Sequence, residues 1–162
     1  MIVVPDTSAI TNLYQIDQLH LLKDLFGEVL IPPAVLRELS ALPEQATVVS
    51  ENLWIRPVFP ENHILVQQLS EQLDLGESEA IAVALEVKAD RLILDEKLGR
   101  AVAREYDLPI IGILGILIEA RKKGLLPEIR PEIIRLREND FRLKLSLVNR
   151  VLMRLGEEEI LA

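Results

Sequence analysis

The sequence predicts an α/β fold in which a single doubly wound parallel sheet is flanked by helices and followed by a helical carboxyl-terminal tail. Short apolar runs of β type alternate with longer segments of helical periodicity along the chain. The β-type runs are continuously apolar, which is typical of parallel strands covered on both faces. A chain of 162 residues, 49% of them apolar, is expected to form one domain over residues 1–162.

Strands and helices alternate through the first half of the chain. Asp6, Thr7 and Ser8 can cap a helix N-terminus, so a helix is expected directly after the first strand. Proline suits the first turn of a helix, and Pro32-Pro33 therefore opens the third one. The elements in order are a strand at residues 2–4, helices at 6–13 and 18–25, a strand at 29–31, a helix at 32–40, a strand at 54–59 and a helix at 62–72.

The second half repeats this alternation and ends in helices. The elements in order are a helix at residues 75–88, a strand at 91–94, a helix at 96–106, a strand at 109–111, a helix at 112–124, a helix from Pro131 and a last helix at 143–155. The helix at 75–88 is apolar on nearly every side, which indicates a central, buried helix. The last helix carries its apolar residues on one face and Lys144, Arg150 and Arg154 away from it.

Charge is unevenly distributed along the chain. The net charge is −8, which at first argues against a polyanionic partner. Residues 121–154 nevertheless carry a net charge of +6, whereas residues 1–120 carry −11. An acidic body with a basic appendage is compatible with nucleic acid if something local neutralises the acids, and with a plain solvated helical face if nothing does.

Composition also excludes several kinds of site. The absence of cysteine excludes disulfides, thiolate metal sites and cysteine nucleophiles. The opening residues MIVVPD lack the basic and apolar segments of a secretory signal. The longest uncharged apolar run, between Asp107 and Glu119, is shorter than the ~20 residues that span a bilayer. We therefore expect a soluble, cytoplasmic protein that does not contact a membrane.

Acidic residues cluster where the predicted strands end. Ligands bind open parallel sheets beyond the carboxyl ends of the strands. Asp6 follows the first strand and Asp95 follows the strand at 91–94, so both are expected at the same edge of the sheet. Further acids stand near that edge in the sequence, at Glu38, Glu77, Glu79 and Glu96.

Two interpretations of these acids remain open. Each one singly is explained as a helix cap, as a residue that favourably meets a helix dipole or, for Glu38, as a solvated helical residue. Together they form an acidic edge whose carboxylates repel one another and raise each other's pKa. A divalent cation removes that repulsion, and Mg²⁺ or Mn²⁺ suits all-oxygen ligands.

Five segments resemble the PIN-domain nucleases, in particular the prokaryotic branch related to the toxins of toxin–antitoxin pairs. They are VPDTSAITNL, IPPAVLREL, LDLGESEAIAVALE, LILDEKLGRAVA and IIGILGILIEARKKGLL, and the resemblance spans about residues 2–155. It implies a PIN-like fold with Asp6, Glu38, Glu79 and Asp95 as catalytic, metal-binding acids, Glu77 as an additional acid, and Ser8 and Glu96 in supporting positions. The sequence departs from the commoner toxin pattern by having glutamate at position 79 and no threonine two residues before Asp95.

The resemblance also implies an activity and partners. The expected activity is divalent-metal-dependent hydrolysis of RNA phosphodiesters, with Mg²⁺ or Mn²⁺ as the cofactor. An antitoxin protein and a second copy of the chain in a homodimer are the partners that it implies. Phosphate contacts are expected from basic side chains of the second half, namely Arg100, Arg104, Arg150 and Arg154.

Two non-enzymatic alternatives are kept beside the nuclease. The first is a catalytically weak or inactive PIN-like scaffold whose acids are helix caps and whose role is dimerisation or partner binding; the net charge and Glu79 favour it. The second, an acidic receiver-type regulator, lacks an evident phosphorylatable aspartate after a middle strand.

Overall fold

Five short parallel strands form one sheet at the centre of the molecule. The computed structural model describes residues 1–161. The strands are β1 (Val3–Pro5), β2 (Val29–Ile31), β3 (Ile55–Pro57), β4 (Arg91–Ile93) and β5 (Ile110–Ile111), in the spatial order β3-β2-β1-β4-β5. The predicted α/β class with a doubly wound parallel sheet is confirmed, because the chain winds outward from β1 in one direction and outward from β4 in the other.

Ten α-helices surround this sheet in the described part of the chain. They are α1 (Thr7–Gln15), α2 (His20–Phe26), α3 (Pro33–Ala41), α4 (Val48–Glu51), α5 (His63–Leu69), α6 (Leu75–Glu86), α7 (Lys97–Glu105), α8 (Ile113–Lys122), α9 (Arg130–Glu138) and α10 (Leu145–Arg154). The short α4 and a 3-10 turn at Pro43–Gln45 lie in a stretch where the sequence predicts no element. The strand predicted at 54–59 is shorter, because β3 pairs only with the three residues of β2.

Alternate residues of the strands bury opposite faces of the sheet. Val3 and Ile93 belong to a core formed with α1, α2, α8, α9 and α10. Val4 and Leu92 belong to a second core formed with α5, α6 and α7. Residues 76–84 of α6 are all buried, as its apolar sequence predicts. This two-sided cover explains why the strands are apolar without alternation.

The predicted helical tail is part of the main core. Ile133 and Leu136 of α9 and Val148 and Leu152 of α10 are fully buried. The helical tail predicted from the sequence is thus present as α9 and α10, and apolar residues on both helices pack it onto the body. Within residues 1–161 no helix is long and apolar enough to cross a membrane.

Candidate active site

The two central strands bring Asp6 and Asp95 to the same edge of the sheet. Strands β1 and β4 pair in parallel with Pro5 opposite Ile93, and the Asp6 N–H donates to the Ile93 carbonyl at 3.2 Å. The direction of strand order reverses between β1 and β4, which is where doubly wound proteins bind their ligands. Asp6 directly follows β1 and is only 4% exposed, so its carboxylate is held at this edge away from bulk water.

A small acidic cavity lies beside Asp6. Its volume is about 50 Å³, more than the ~10–15 Å³ that one ordered water needs. Five of its lining residues are carboxylic acids from four parts of the chain, namely Asp6, Glu38, Asp74, Glu77 and Glu96. The remaining lining residues are Thr7, Ser8 and Gly76. We call this feature the acidic cavity.

Asp74 is a member of the acidic cavity that the sequence interpretation missed. Its Oδ1 accepts a hydrogen bond from the Glu77 backbone N–H at 2.8 Å and so caps α6. Its carboxyl group is also hydrogen-bonded to the Glu77 side chain. The signal in the sequence is the aspartate three residues before Glu77, a spacing at which a helix cap reaches the first turn.

Two glycines let the carboxylates pack against backbone. A Cβ atom on Gly76 would lie 2.9 Å from Oε1 of Glu38. A Cβ atom on Gly99, in the first turn of α7, would collide with Oε2 of Glu77. That oxygen is buried and has no hydrogen-bond partner within residues 1–161. The glycines thus provide the room in which Glu38 and Glu77 approach the cavity.

Burial sets the protonation of the central acids. Loss of hydration raises the pKa of Asp6 to about 7, against a hydrogen bond from Ala9 that lowers it, and the charges of Asp95, Asp74 and Glu96 raise it further. Burial together with the charge and hydrogen bond of Asp74 raises the pKa of Glu77 to about 8. The cavity therefore holds carboxylic acids that retain protons near neutral pH until a positive charge enters.

Glu79 points away from the acidic cavity. Its Oε1 accepts a hydrogen bond from the Ala34 backbone N–H at 2.7 Å, at the N-terminus of α3. Glu79 is 7% exposed and does not line the cavity, whereas Glu77, two residues earlier on the same helix, does. Of the acids named from the sequence, Asp6, Glu38, Glu77 and Glu96 thus line one cavity and Glu79 does not.

Asp95 lines a larger groove next to the acidic cavity. Its two carboxylate oxygens accept from the Ile113 N–H, at the start of α8, at 3.2 and 3.3 Å. Burial raises the pKa of Asp95, while that hydrogen bond and the nearby Arg100 guanidinium lower it. A Cβ atom on Gly112 would lie 2.6 Å from Oδ1 of Asp95, so glycine is needed for this close approach.

The groove is large and contains four basic side chains. Its volume is about 870 Å³, and Ser8 and Glu96 line both the groove and the acidic cavity. The basic residues of its wall are Lys97, Arg100, Arg142 and Lys144. Of the four arginines named from the sequence for phosphate contacts, Arg100 lines the groove, whereas Arg104, Arg150 and Arg154 are exposed residues outside it. We call this feature the basic groove.

The donor set of the acidic cavity suits a hard divalent cation. Within residues 1–161, no three acidic or histidine side chains converge into a complete cluster around one point. Mg²⁺ does not require one, because it keeps several waters and binds through one or two carboxylates. The ligands on offer are all oxygen, and Glu77 presents a buried carboxylate oxygen without a partner. Mg²⁺ or Mn²⁺ fits these residues.

Comparison with known proteins gives one family. A family model described as a PIN domain matches residues 2–157, nearly the whole chain. No curated protein and no solved structure matches the chain significantly. The family match agrees with the doubly wound sheet and with the acids at its switch point. The chain belongs to the PIN domain family, whose members are generally nucleases.

Proposed function

We propose that this protein is a divalent-metal-dependent endoribonuclease. The observation that carries the proposal is the acidic cavity at the switch point of a PIN domain, which five carboxylic acids line and in which the pKa values of two, Asp6 and Glu77, are strongly raised. Grouping acids in this way is unfavourable for a folded chain without a cation. A site that binds a cation accounts for the grouping.

The cavity acids have distinct parts in this proposal. Asp6 and Glu77 would hold the Mg²⁺ or Mn²⁺ ion, and Glu38, which also lines the cavity, and Asp95, which lines the neighbouring basic groove, would complete the acidic surroundings. We assign Glu77 the place that the family resemblance implied for Glu79, because Glu77 lines the acidic cavity, whereas Glu79 bonds to the Ala34 N–H outside it. When bound, the ion supplies electrostatic stabilisation of the phosphate and lowers the pKa of a coordinated water.

The remaining chemistry belongs to the side chains of the chain. The Glu96 carboxylate, which lines the cavity wall and does not cap a helix through its side chain, orients the attacking water and accepts its proton. The Ser8 hydroxyl stands between cavity and groove and hydrogen-bonds a phosphate oxygen there. Arg100, beside Asp95, offsets the negative charge of the phosphate. The oxygen of the water forms a bond to phosphorus, the P–O bond to one sugar oxygen breaks, and that oxygen takes up a proton from solvent. The products are one strand with a terminal phosphate and one with a terminal hydroxyl group.

Thermal unfolding with and without Mn²⁺ tests the cation site. In wild type, a hundredfold excess over the dissociation constant adds ~2.7 kcal/mol, which raises the Tm by very roughly 5–10 °C. Asp6→Asn keeps an oxygen that can cap α1 through the Ala9 N–H but loses the charge, so its Mn²⁺ response should disappear. Asp24→Asn, at an exposed position on α2, is the matched control.

Cleavage of labelled RNA and DNA oligonucleotide pools tests the reaction itself. Wild type and Asp24→Asn should cut RNA with Mn²⁺ and stop with a chelator, and Asp6→Asn should be inactive. Cutting that persists in Asp6→Asn would contradict the proposed site. Cutting of DNA in preference to RNA would contradict the proposed substrate.

A scaffold without enzymatic activity is the second candidate, and one set of hydrogen bonds favours it. Carboxylates of Asp6, Asp74, Glu79 and Asp95 each accept a backbone N–H at or near a helix N-terminus. Helix capping alone would account for these four acids. A Tm that Mn²⁺ leaves unchanged, together with no cleavage of either pool, would favour the scaffold.

The partners that the resemblance implies are part of the same proposal. A toxin of a toxin–antitoxin pair should arrest growth when expressed alone, and Asp6→Asn should remove that effect. A homodimer should give twice the 18.3 kDa mass of the chain in light scattering. Growth without arrest, or a monomeric mass, would restrict the proposal to the nuclease activity.

A further inference from the structure

The wall of the basic groove is apolar as well as basic. Apolar residues from α8, from the segment between α9 and α10, and from α10 line it, among them Leu114, Ile118, Phe141, Leu143, Leu147 and Val151. Leu147 is 44% exposed in this wall. Leu114, Ile118, Phe141, Leu143 and Val151 also pack against the main core, and Leu147 does not. Binding a cation or a bare phosphate would not use the parts of these side chains that line the groove.

The basic side chains of the groove have hydrogen-bond donors that no group of the protein uses. Lys97, Arg100, Arg142 and Lys144 make no ion pair and donate no side-chain hydrogen bond within residues 1–161. Nε of Arg100 is buried without a partner. A buried guanidinium donor is costly when unsatisfied, and guanidinium groups bind phosphate oxygens in a bidentate manner. The terminal guanidinium nitrogens of Arg100, which also donate no hydrogen bond within residues 1–161, are the donors that an anion in the groove would meet.

The basic groove is continuous with the acidic cavity. Ser8 and Glu96 line both, and Arg100 stands close to Asp95 and to Gly112 on the groove side. A phosphate bound at the shared edge would have the cavity carboxylates on one side and Arg100 on the other, and a group attached to it would have room along the groove toward Phe141 and Leu147.

We propose that the basic groove is a nucleotide subsite next to the scissile phosphate, which rests on the proposed nuclease function. Arg100 donates to a non-bridging oxygen of the phosphate. The adjoining base, unpaired and unstacked, lies against the apolar wall beside Phe141 and Leu147. The groove volume of about 870 Å³ falls within the ~300–1,000 Å³ of small-ligand sites and accommodates a nucleotide.

Charge favours a nucleic-acid strand over a protein segment as the occupant. The groove wall carries four basic residues against three acids, and two of those acids, Asp95 and Glu96, stand at the cavity end. The chain as a whole has a net charge of −8, so a groove wall in which basic residues outnumber acids differs from the average surface of the molecule. A partner with alternating phosphates and apolar bases matches both kinds of wall.

Binding of a fluorescent RNA ten-mer in EDTA tests the phosphate contact without requiring hydrolysis. Arg100→Gln should weaken binding at least about tenfold, since a charge-assisted hydrogen bond is lost. Arg104→Gln, one turn further along α7 and outside the groove, is the matched control and should bind as wild type does. Arg100→Lys should recover part of the affinity, because it keeps the charge but not the planar donor pair.

An abasic ten-mer of the same length tests the base wall. Leu147 is exposed, so Leu147→Gln should fold as wild type does. This variant should bind the RNA more weakly than wild type does but bind the abasic strand equally well. Phe141→Leu is a second variant of the wall. Met153→Gln is the control, because Met153 is exposed on α10, the helix that carries Leu147, and lies outside the groove. Equal weakening of both probes would overturn the assignment of the base.

The possible failures can be told apart. Equal effects of the Arg100 and Arg104 variants, or no binding of RNA by wild type in EDTA, would overturn the subsite. Tight binding that depends on Arg100, without cleavage under any metal, would overturn the proposed function and leave the groove as a nucleotide-binding site only. RNA cleavage that Arg100→Gln leaves unchanged in KM and kcat would overturn the subsite and leave the nuclease. A groove that instead takes a protein segment would show as RNA binding insensitive to every groove variant.

Discussion

Oε1 of Glu79 accepts a hydrogen bond from the backbone N–H of Ala34 at 2.7 Å, and this bond joins the buried helix α6 to the start of α3. Pro33, the first residue of α3, has no N–H, so the Ala34 amide is the first donor at that helix end. Both residues are buried. The negative charge of Glu79 also lies at the positive end of the α3 dipole. The bond therefore gives Glu79 a role in the fold that leaves the acidic cavity to Glu77.

The first prediction separates Glu77 from Glu79 by opposite effects on stability. Glu79→Ala should lower the free energy of unfolding by about 1–3 kcal/mol, because the Ala34 N–H is left buried without a partner. Glu77→Gln should instead raise the Tm without metal, because it removes a carboxylate from a crowded acidic cavity. Thermal unfolding in EDTA and in Mn²⁺ measures both effects.

The Mn²⁺ response provides the contrast between these two variants. Glu79→Ala should keep the upward shift of Tm that Mn²⁺ produces in wild type, and Glu77→Gln should lose most of it. If Glu79→Ala lost the shift and Glu77→Gln kept it, the assignment from the family resemblance would be correct and ours wrong.

The second prediction is that the protein without metal loses stability as the pH rises. The folded-state pKa of Asp6 is raised to about 7 from an ordinary 3.8, so between these values the folded chain binds more protons than the unfolded chain. The free energy of unfolding therefore falls as pH increases through this window, and Glu77 extends the window to about pH 8. The contribution of Asp6 is present below about pH 4 and lost above about pH 7.

Comparison of wild type with Asp6→Asn isolates that contribution. Between pH 5.5 and 8 in EDTA, the loss of unfolding free energy should be about 2 kcal/mol smaller in the variant, or very roughly 4–8 °C in Tm. In saturating Mn²⁺, wild type should no longer lose this additional unfolding free energy between pH 5.5 and 8, because the cation stabilises the ionised carboxylates. Parallel pH profiles of the two proteins in EDTA would show that burial does not raise this pKa.

Apolar patterns predicted the fold because each helix and strand carries its own burial signal. The all-round apolar sequence of α6 indicated a central helix, and residues 76–84 are buried. The position of Asp6 and Asp95 at one edge followed from parallel strands ending together. Sequence also named Glu38 and Glu96, which line the acidic cavity.

Side-chain direction could not be obtained in the same way. Glu77 and Glu79 are two residues apart, so they point to different sides of α6, and an apolar pattern that covers the whole helix does not say which side faces the sheet edge. Packing of α6 against α3 decides it, through contacts between residues distant in sequence. Asp74 was missed for a related reason, because a helix cap and a cavity acid have the same local sequence.

The third prediction concerns the glycine that faces Glu77. Gly99→Ala should displace the Glu77 carboxylate, because the new Cβ would collide with its Oε2. The exchange of glycine for alanine favours helix α7 by up to about 1 kcal/mol, which offsets the cost of displacing the carboxylate. The free energy of unfolding should therefore change little. The Mn²⁺-induced rise in Tm should shrink, and RNA cleavage should fall at least about tenfold.

Gly124→Ala is a poor control for this change, since Gly124 has a positive φ of 75° that alanine resists. Ala101→Ser, at an exposed position of the same helix, is a better one and should leave both measurements unchanged. Full Mn²⁺ binding and activity in Gly99→Ala would mean that the Glu77 carboxylate is not needed where it stands.

The fourth prediction tests whether the carboxyl-terminal helices depend on one buried carboxylate. Glu157, whose side chain is 3% exposed, accepts from the N–H groups of Ile129 and Arg130 at 2.9 Å and pairs with Arg121 at 3.4 Å. Glu157→Gln should lower the free energy of unfolding by about 3 kcal/mol, because Arg121 is left without its partner charge and α9 without its anionic cap. Glu158→Gln, at the exposed neighbouring position, should leave the free energy of unfolding unchanged.

Because Glu157 lines neither the acidic cavity nor the basic groove, the Mn²⁺-induced rise in Tm should be the same in both variants as in wild type. A smaller rise in Glu157→Gln alone would contradict this prediction and would mean that the packing of α9 and α10 controls the cation site.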